Sequence, residues 1–112
     1  MTAVEVWTPV CAVTDLLPDR GVAALLSGGE QVAVFLTGDG AVYALSNMDP
    51  FSGAAVLSRG LVGDVGGVPV VASPMHKQRF DLRTGSCVDD PTRTVPVYPV
   101  RVADGTILVG LS

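Results

Sequence analysis

Residues 73–85 read SPMHKQRFDLRTG. The valine-rich run Val68 to Ala72 just before them reads as a strand. The stretch itself then holds a proline-bearing loop with the chain's one histidine, His76, a second short strand (Gln78 to Asp81), and a turn at Arg83-Thr84-Gly85. Short strands punctuated by Gly and Pro predict β structure here, and the rest of the chain repeats the pattern.

Thirteen Gly and eight Pro interrupt the 112 residues too often for long helices. Upstream, Val4 to Trp7 reads as a first strand, and Asp15 to Gly21 as a loop with room for one helical turn. Val22 to Leu26, Gln31 to Leu36 and Val42 to Leu45 read as three strands joined at Ser27–Glu30 and Gly38–Gly40. Tight turns of that composition join antiparallel neighbours, which predicts a β-meander. Downstream, Leu61-Val62 and Val68 to Ala72 flank a Gly66-Gly67 turn. Val95 to Val102 and Ile107 to Val109 form a closing hairpin, with Pro96 and Pro99 confining the first of its strands to an edge or to interrupted pairing. Between them, Asn47 to Gly60 (NMDPFSGAAVLSRG) has no strand periodicity and is long enough for a functional loop. The fold expected is all-β: antiparallel sheets forming a sandwich or partly closed barrel, with the two loops at one end, as a single domain over residues 1–112.

Charge and composition exclude several functions. Seven basic against eleven acidic side chains leave a net charge of −4, which disfavours nucleic acid and anionic membrane surfaces as partners. No apolar run approaches the ~20 residues of a membrane helix. The opening MTAVEVWTPV lacks a basic segment followed by a long apolar one, which predicts a cytoplasmic protein without a secretory leader. Cys11 and Cys87 are far apart in sequence and read as two buried thiols.

The two loops carry a resemblance. SNMDPFSGAAVLSRG followed by VASPMHKQRFDLRTG resembles the loops of a Rieske domain: Cys-Pro-His-x-Gly-Ala, then Leu-Ser-x-Gly, then Cys-Pro-x-His with Phe-Asp and Thr-Gly after it. On that pattern Asp49 and Phe51 stand at the first Cys and His positions, and Ser73 and His76 at the second pair. Three of the four ligands of a two-iron cluster are missing. Asp49 and Ser73 are hard oxygen groups and Phe51 offers no donor atom. The scaffold residues Pro50, Gly53, Ala54, Leu57-Ser58, Gly60, Pro74, Phe80, Asp81 and Gly85 still match. The departure is itself a pattern: Asn47 to Phe51, Leu57 to Gly60, Ser73-Pro74 and Lys77 to Phe80 are similar to the small subunits of the NAD(P)H-dependent assimilatory nitrite reductases.

That resemblance implies a non-redox subunit with no cofactor of its own and no catalytic residue. Its partner would be a large subunit holding FAD, an iron–sulfur cluster and sirohaem, which reduces nitrite to ammonium in nitrate assimilation. In a Rieske fold these loops form a tip facing the electron partner, so Met48, Phe51 and Met75 are candidates for contact; Met48 and Met75 suit that reading better, while Phe51 is read first as filling the volume left by the cluster. The alternative is a free-standing Rieske-like electron or metal carrier, with Asp49, His76 and Cys87 binding iron in an unusual way. A third reading is a small-molecule module using the vacated space. A Ser73/His76/Asp49 hydrolase lacks the Gly-x-Ser-x-Gly turn and any marked oxyanion hole. With no iron to tie the loops, Phe51 is expected to pack inward and Asp49 to accept hydrogen bonds from the second loop: from the Ser73 hydroxyl, a nearby backbone amide, or the ring of His76.

Overall fold

The computed structural model describes residues 6–26, 28–75 and 77–111; Val4 and Glu5 of the expected first strand, Ser27 and His76 lie outside them. Ten strands follow in chain order: β1 (Val6–Ala12), β2 (Gly21–Leu25), β3 (Gln31–Leu36), β4 (Val42–Ser46), β5 (Leu61–Val65), β6 (Val68–Ala72), β7 (Arg79–Asp81), β8 (Val97–Tyr98), β9 (Val100–Ala103) and β10 (Thr106–Leu111). Two short 3-10 turns, Val13–Asp15 and Leu57–Arg59, are the helical segments among the described residues, and no helix there is long and apolar enough to cross a membrane.

All the strand pairings are antiparallel, in three sheets ordered β1-β10-β9, β2-β3-β4-β8 and β5-β6-β7. The β5–β6 hairpin turns on Gly66 (φ 58°) and Gly67 (φ 89°), both in the left-handed region that a two-residue turn of this hand requires. β1 runs past Trp7 to Ala12 and through Pro9, which it can do because it is an edge strand where a missing N–H breaks no second ladder; a register shift between Pro9 and Cys11 marks the irregularity.

The expected partly closed barrel is overturned, whereas the expected antiparallel pairing is found. Among the described residues each of the three sheets is open, with two free edges and no strand returning to complete a ring. The segment read as one strand, Val95 to Val102, divides at Pro99: β8 joins β4 at the edge of one sheet, and β9 joins β10 at the edge of another. Pro96 and Pro99 donate no amide hydrogen, so a continuous ladder cannot pass from sheet to sheet along this segment.

The four-stranded sheet is the middle layer. Val32, Ala33, Val34 and Phe35 of β3 are all fully buried. With a period of two, Ala33 and Phe35 join Leu45, Leu57, Val71, Phe80, Leu82, Cys87 and Val95 in one core, whereas Val32 and Val34 join Leu16, Leu26, Ala44, Ile107 and Val109 in the other. A strand buried on both faces reads as an unbroken apolar run. Each of the buried Val, Leu, Ile and Phe side chains is worth ~1.5–3 kcal/mol of burial. The first core lies beneath the two long loops and supports them.

Candidate functional site

The first loop is fastened at its base by Asn47, which is buried. Its side-chain oxygen accepts from the Ser58 amide (2.7 Å), its Nδ2 donates to the Ala55 carbonyl (3.2 Å), and its own carbonyl accepts from the Leu57 amide (3.0 Å). A short polar side chain that bonds neighbouring backbone suits a non-helical, non-strand segment. Within the loop Asp49 folds the chain on itself: its amide donates to Ala54 (2.8 Å), its carbonyl accepts from Gly53 (2.8 Å), and its Oδ1 accepts from the Phe51 amide (2.9 Å).

The second loop is closed by Ser73, whose amide donates to the Gln78 carbonyl (2.8 Å) and whose carbonyl accepts from the Lys77 amide (2.9 Å). The Ser73 hydroxyl donates to Asp49 Oδ2 at 2.5 Å and accepts from the Met75 amide at 3.3 Å. The structure therefore brings Asp49 and Ser73 into direct contact across the two loops, and both are buried, Asp49 to 0% exposure. Of the three donors expected for Asp49, the hydroxyl is found. His76 lies outside the described residues. Burial pushes the Asp49 carboxyl up, but hydrogen bonds from Ser73, Phe51 and Ser52 outweigh it, so the group sits below the ordinary aspartate value.

Phe51 is half-buried and packs on the core, its ring centroid 6.2 Å from that of Phe80. The Arg93 guanidinium also lies over the ring, 5.5 Å from its centroid. Arg93 comes from the segment between β7 and β8, which sequence reading did not connect with the site. Three interactions fold that segment over: the Arg93 carbonyl accepts from Cys87 (3.0 Å), Asp89 takes the Arg79 amide (2.8 Å), and Asp89 also takes the Arg79 guanidinium (2.7 Å). The Asp89 carboxyl is lowered by the hydrogen bonds from the Arg79 side chain and backbone. Asp-Asp-Pro at 89–91 was a readable turn signal; the target of Arg93 was not readable. Met48 and Met75 point outward, 45% and 51% exposed.

Comparison with known proteins then decides the family. The model of the Rieske-like [2Fe-2S] domain matches residues 6–110. The chain is 49% identical over 102 residues to the nitrite reductase (NADH) small subunit of Salmonella typhimurium, covering 90% of this chain and 94% of that one. It superposes at a TM-score of 0.95 on a crystal structure from Mycobacterium tuberculosis assigned as an NADH-dependent nitrite reductase small subunit, with 55% identity and 98% of each chain covered. The chain belongs to the Rieske-like family, among the nitrite reductase small subunits. It is also 45% identical over 104 residues to part of the nitrite reductase [NAD(P)H] large subunit of Klebsiella oxytoca; the match takes in 93% of this chain and 11% of that polypeptide.

The residues of this small subunit do not fit a two-iron cluster. Two thiolates and two imidazoles are required, whereas the equivalent places hold Asp49, Phe51 and Ser73 beside His76. Asp49 spends its carboxylate on Ser73 and Phe51. Cys87 is buried in the core beneath the loops, and Cys11 is half-buried on β1 against the other core. Among the described residues no three His, Cys, Asp or Glu side chains gather as a metal site.

Proposed function

We propose that this chain is the non-redox small subunit of an NAD(P)H-dependent nitrite reductase, binding the large FAD, iron–sulfur and sirohaem subunit that reduces nitrite to ammonium. The observation that carries the reading is the Klebsiella oxytoca large subunit, in which a segment 45% identical to this chain is part of the same polypeptide. A domain that is covalently joined to the catalytic chain in one protein and separate in another works beside it in both. Chemistry supports the accessory role, since a carboxylate, a phenyl ring and a hydroxyl cannot carry an electron where two irons would. The reading puts the complex in the cytoplasm, where NAD(P)H is made and consumed.

Contact with the large subunit falls at the tip. Met48 and Met75 are exposed, flexible apolar side chains at the ends of the two loops. Phe51 lies between the loops and Arg93, with its ring shared between core and surface. Co-expression with an affinity-tagged large subunit tests the reading: the two chains co-purify in fixed ratio. The combined substitution Met48→Asp and Met75→Asp lowers the affinity at least about tenfold, as loss of apolar anchors does. Failure of the unsubstituted chain to co-purify would overturn the subunit assignment, and full affinity of the double variant would overturn the tip alone.

A further inference from the structure

The fold commits most of its seven basic side chains. Arg79 pairs with Asp89 and Arg83 with Asp81, while Arg93 lies over Phe51 and Arg101 over Trp7. Among the described residues, Arg20, Arg59 and Lys77 remain without a carboxylate or aromatic partner. The two arginines line one cleft of about 410 Å³, between the bend leading into β2 and the Leu57–Arg59 turn leading into β5. On its rim stands Leu61, at 79% the most exposed large apolar side chain among those described.

This cleft is preformed. Gly21 presses so closely on the turn that a Cβ there would lie 2.4 Å from the Ser58 carbonyl oxygen, and the Ser58 amide is held by buried Asn47 at 2.7 Å. Arg20 and Arg59 thus project from backbone that is already fixed, which reduces the ordering cost of binding. Arginine is enriched where proteins meet, and the exposed Leu61 adds an apolar surface beside the two uncommitted guanidiniums. On a chain of net charge −4 they are a local basic pair complementary to an acidic group. Asp19 shares the cleft without an ion pair to either arginine; it repels a carboxylate from its own end and so favours one orientation.

We propose that this cleft is a second docking contact for the large subunit, receiving a segment that carries a carboxylate next to an apolar side chain. The proposal rests on the assignment of the chain as a small subunit. The guanidiniums hold the carboxylate and Leu61 covers the apolar neighbour. Affinity of the purified chain for the purified large subunit, measured by biolayer interferometry at low and at physiological salt, tests it. The combined substitution Arg20→Glu and Arg59→Glu is expected to weaken binding at least about tenfold and to flatten its salt dependence. Leu61→Ser weakens it several-fold at either salt concentration. All three side chains are exposed, so the melting temperature of each variant stays that of the unsubstituted chain. If the unsubstituted chain binds and the charge-reversed variant binds equally well, the cleft proposal fails while the subunit assignment stands. If the unsubstituted chain does not bind at all, both fail.

Discussion

Replacing Asp49 tests what holds the two loops together without a metal. Its carboxylate is fully buried and accepts from the Ser73 hydroxyl at 2.5 Å and the Phe51 amide at 2.9 Å. Hydrogen bonds to a charged group are worth ~1.5–3 kcal/mol each, and removing the acceptor also strands two donors. Asp49→Ala is therefore expected to cost about 3–5 kcal/mol, a large share of a domain's usual 5–15 kcal/mol. At about 4 °C per kcal/mol for a chain of this size, the melting temperature falls by about 12–20 °C. Asp49→Asn keeps one accepting oxygen and costs about half as much. Urea unfolding at pH 7, followed by circular dichroism and the fluorescence of Trp7, measures these values. A double-mutant cycle with Ser73→Ala isolates the cross-loop bond, with an expected coupling of about 1.5–3 kcal/mol. A loss below about 1 kcal/mol for Asp49→Ala, or strict additivity with Ser73→Ala, would refute the view that this pair replaces the iron cross-link.

Acid should destabilise the fold through the same group. A carboxyl whose pKa is lower in the folded chain than in the unfolded one contributes stability above the ordinary value near ~3.9, and that contribution drains away as pH falls through the folded value. Asp49 is such a group, and so is Asp81, where burial pushes upward and the Arg83 hydrogen bonds outweigh it. Melting temperature is accordingly flat from pH 7 to 5 and falls below pH 4, and Asp49→Asn makes the fall shallower; an unchanged profile in that variant would remove Asp49 from the account. Gly85→Ala places a Cβ 2.0 Å from the Val95 carbonyl oxygen at a φ of 80°, which backbone atoms cannot relieve. Soluble yield or the urea midpoint should drop sharply, and near-native stability would contradict that close approach. Made anaerobically with iron and sulfide, the purified chain should be colourless, and a Rieske-type EPR signal on reduction would refute the donor-set argument.

Much of the site was legible because it is chemistry at single positions. No folding rule can turn Asp49, Phe51 and Ser73 into thiolates and imidazoles, so the loss of the cluster follows from residue identity. The inward turn of Phe51 and the bond from Ser73 to Asp49 follow from what a phenyl ring and a carboxylate need once the metal is gone. The fastening role of Asn47 was not read, although it begins the first loop; its partners at Ala55, Leu57 and Ser58 become visible only when the loop is folded.

The sequence by itself determined what is local: the punctuation by Gly and Pro, the strands Gln31–Leu36 and Val68–Ala72 with the bounds later found, the Gly66-Gly67 turn, and the missing ligands. Tertiary structure decided what depends on partners distant in the chain. β1 pairs with β10 across nearly the whole sequence and so extends through Pro9 to Ala12. Pro99 sends β8 and β9 to different sheets and leaves all three open. Arg93 comes to rest on Phe51, and Arg20 meets Arg59 across one cleft. Turn chemistry acts within a few residues and is written in them, whereas a ladder partner or a cleft wall is chosen by the burial of whole sheets against one another, which single segments do not encode.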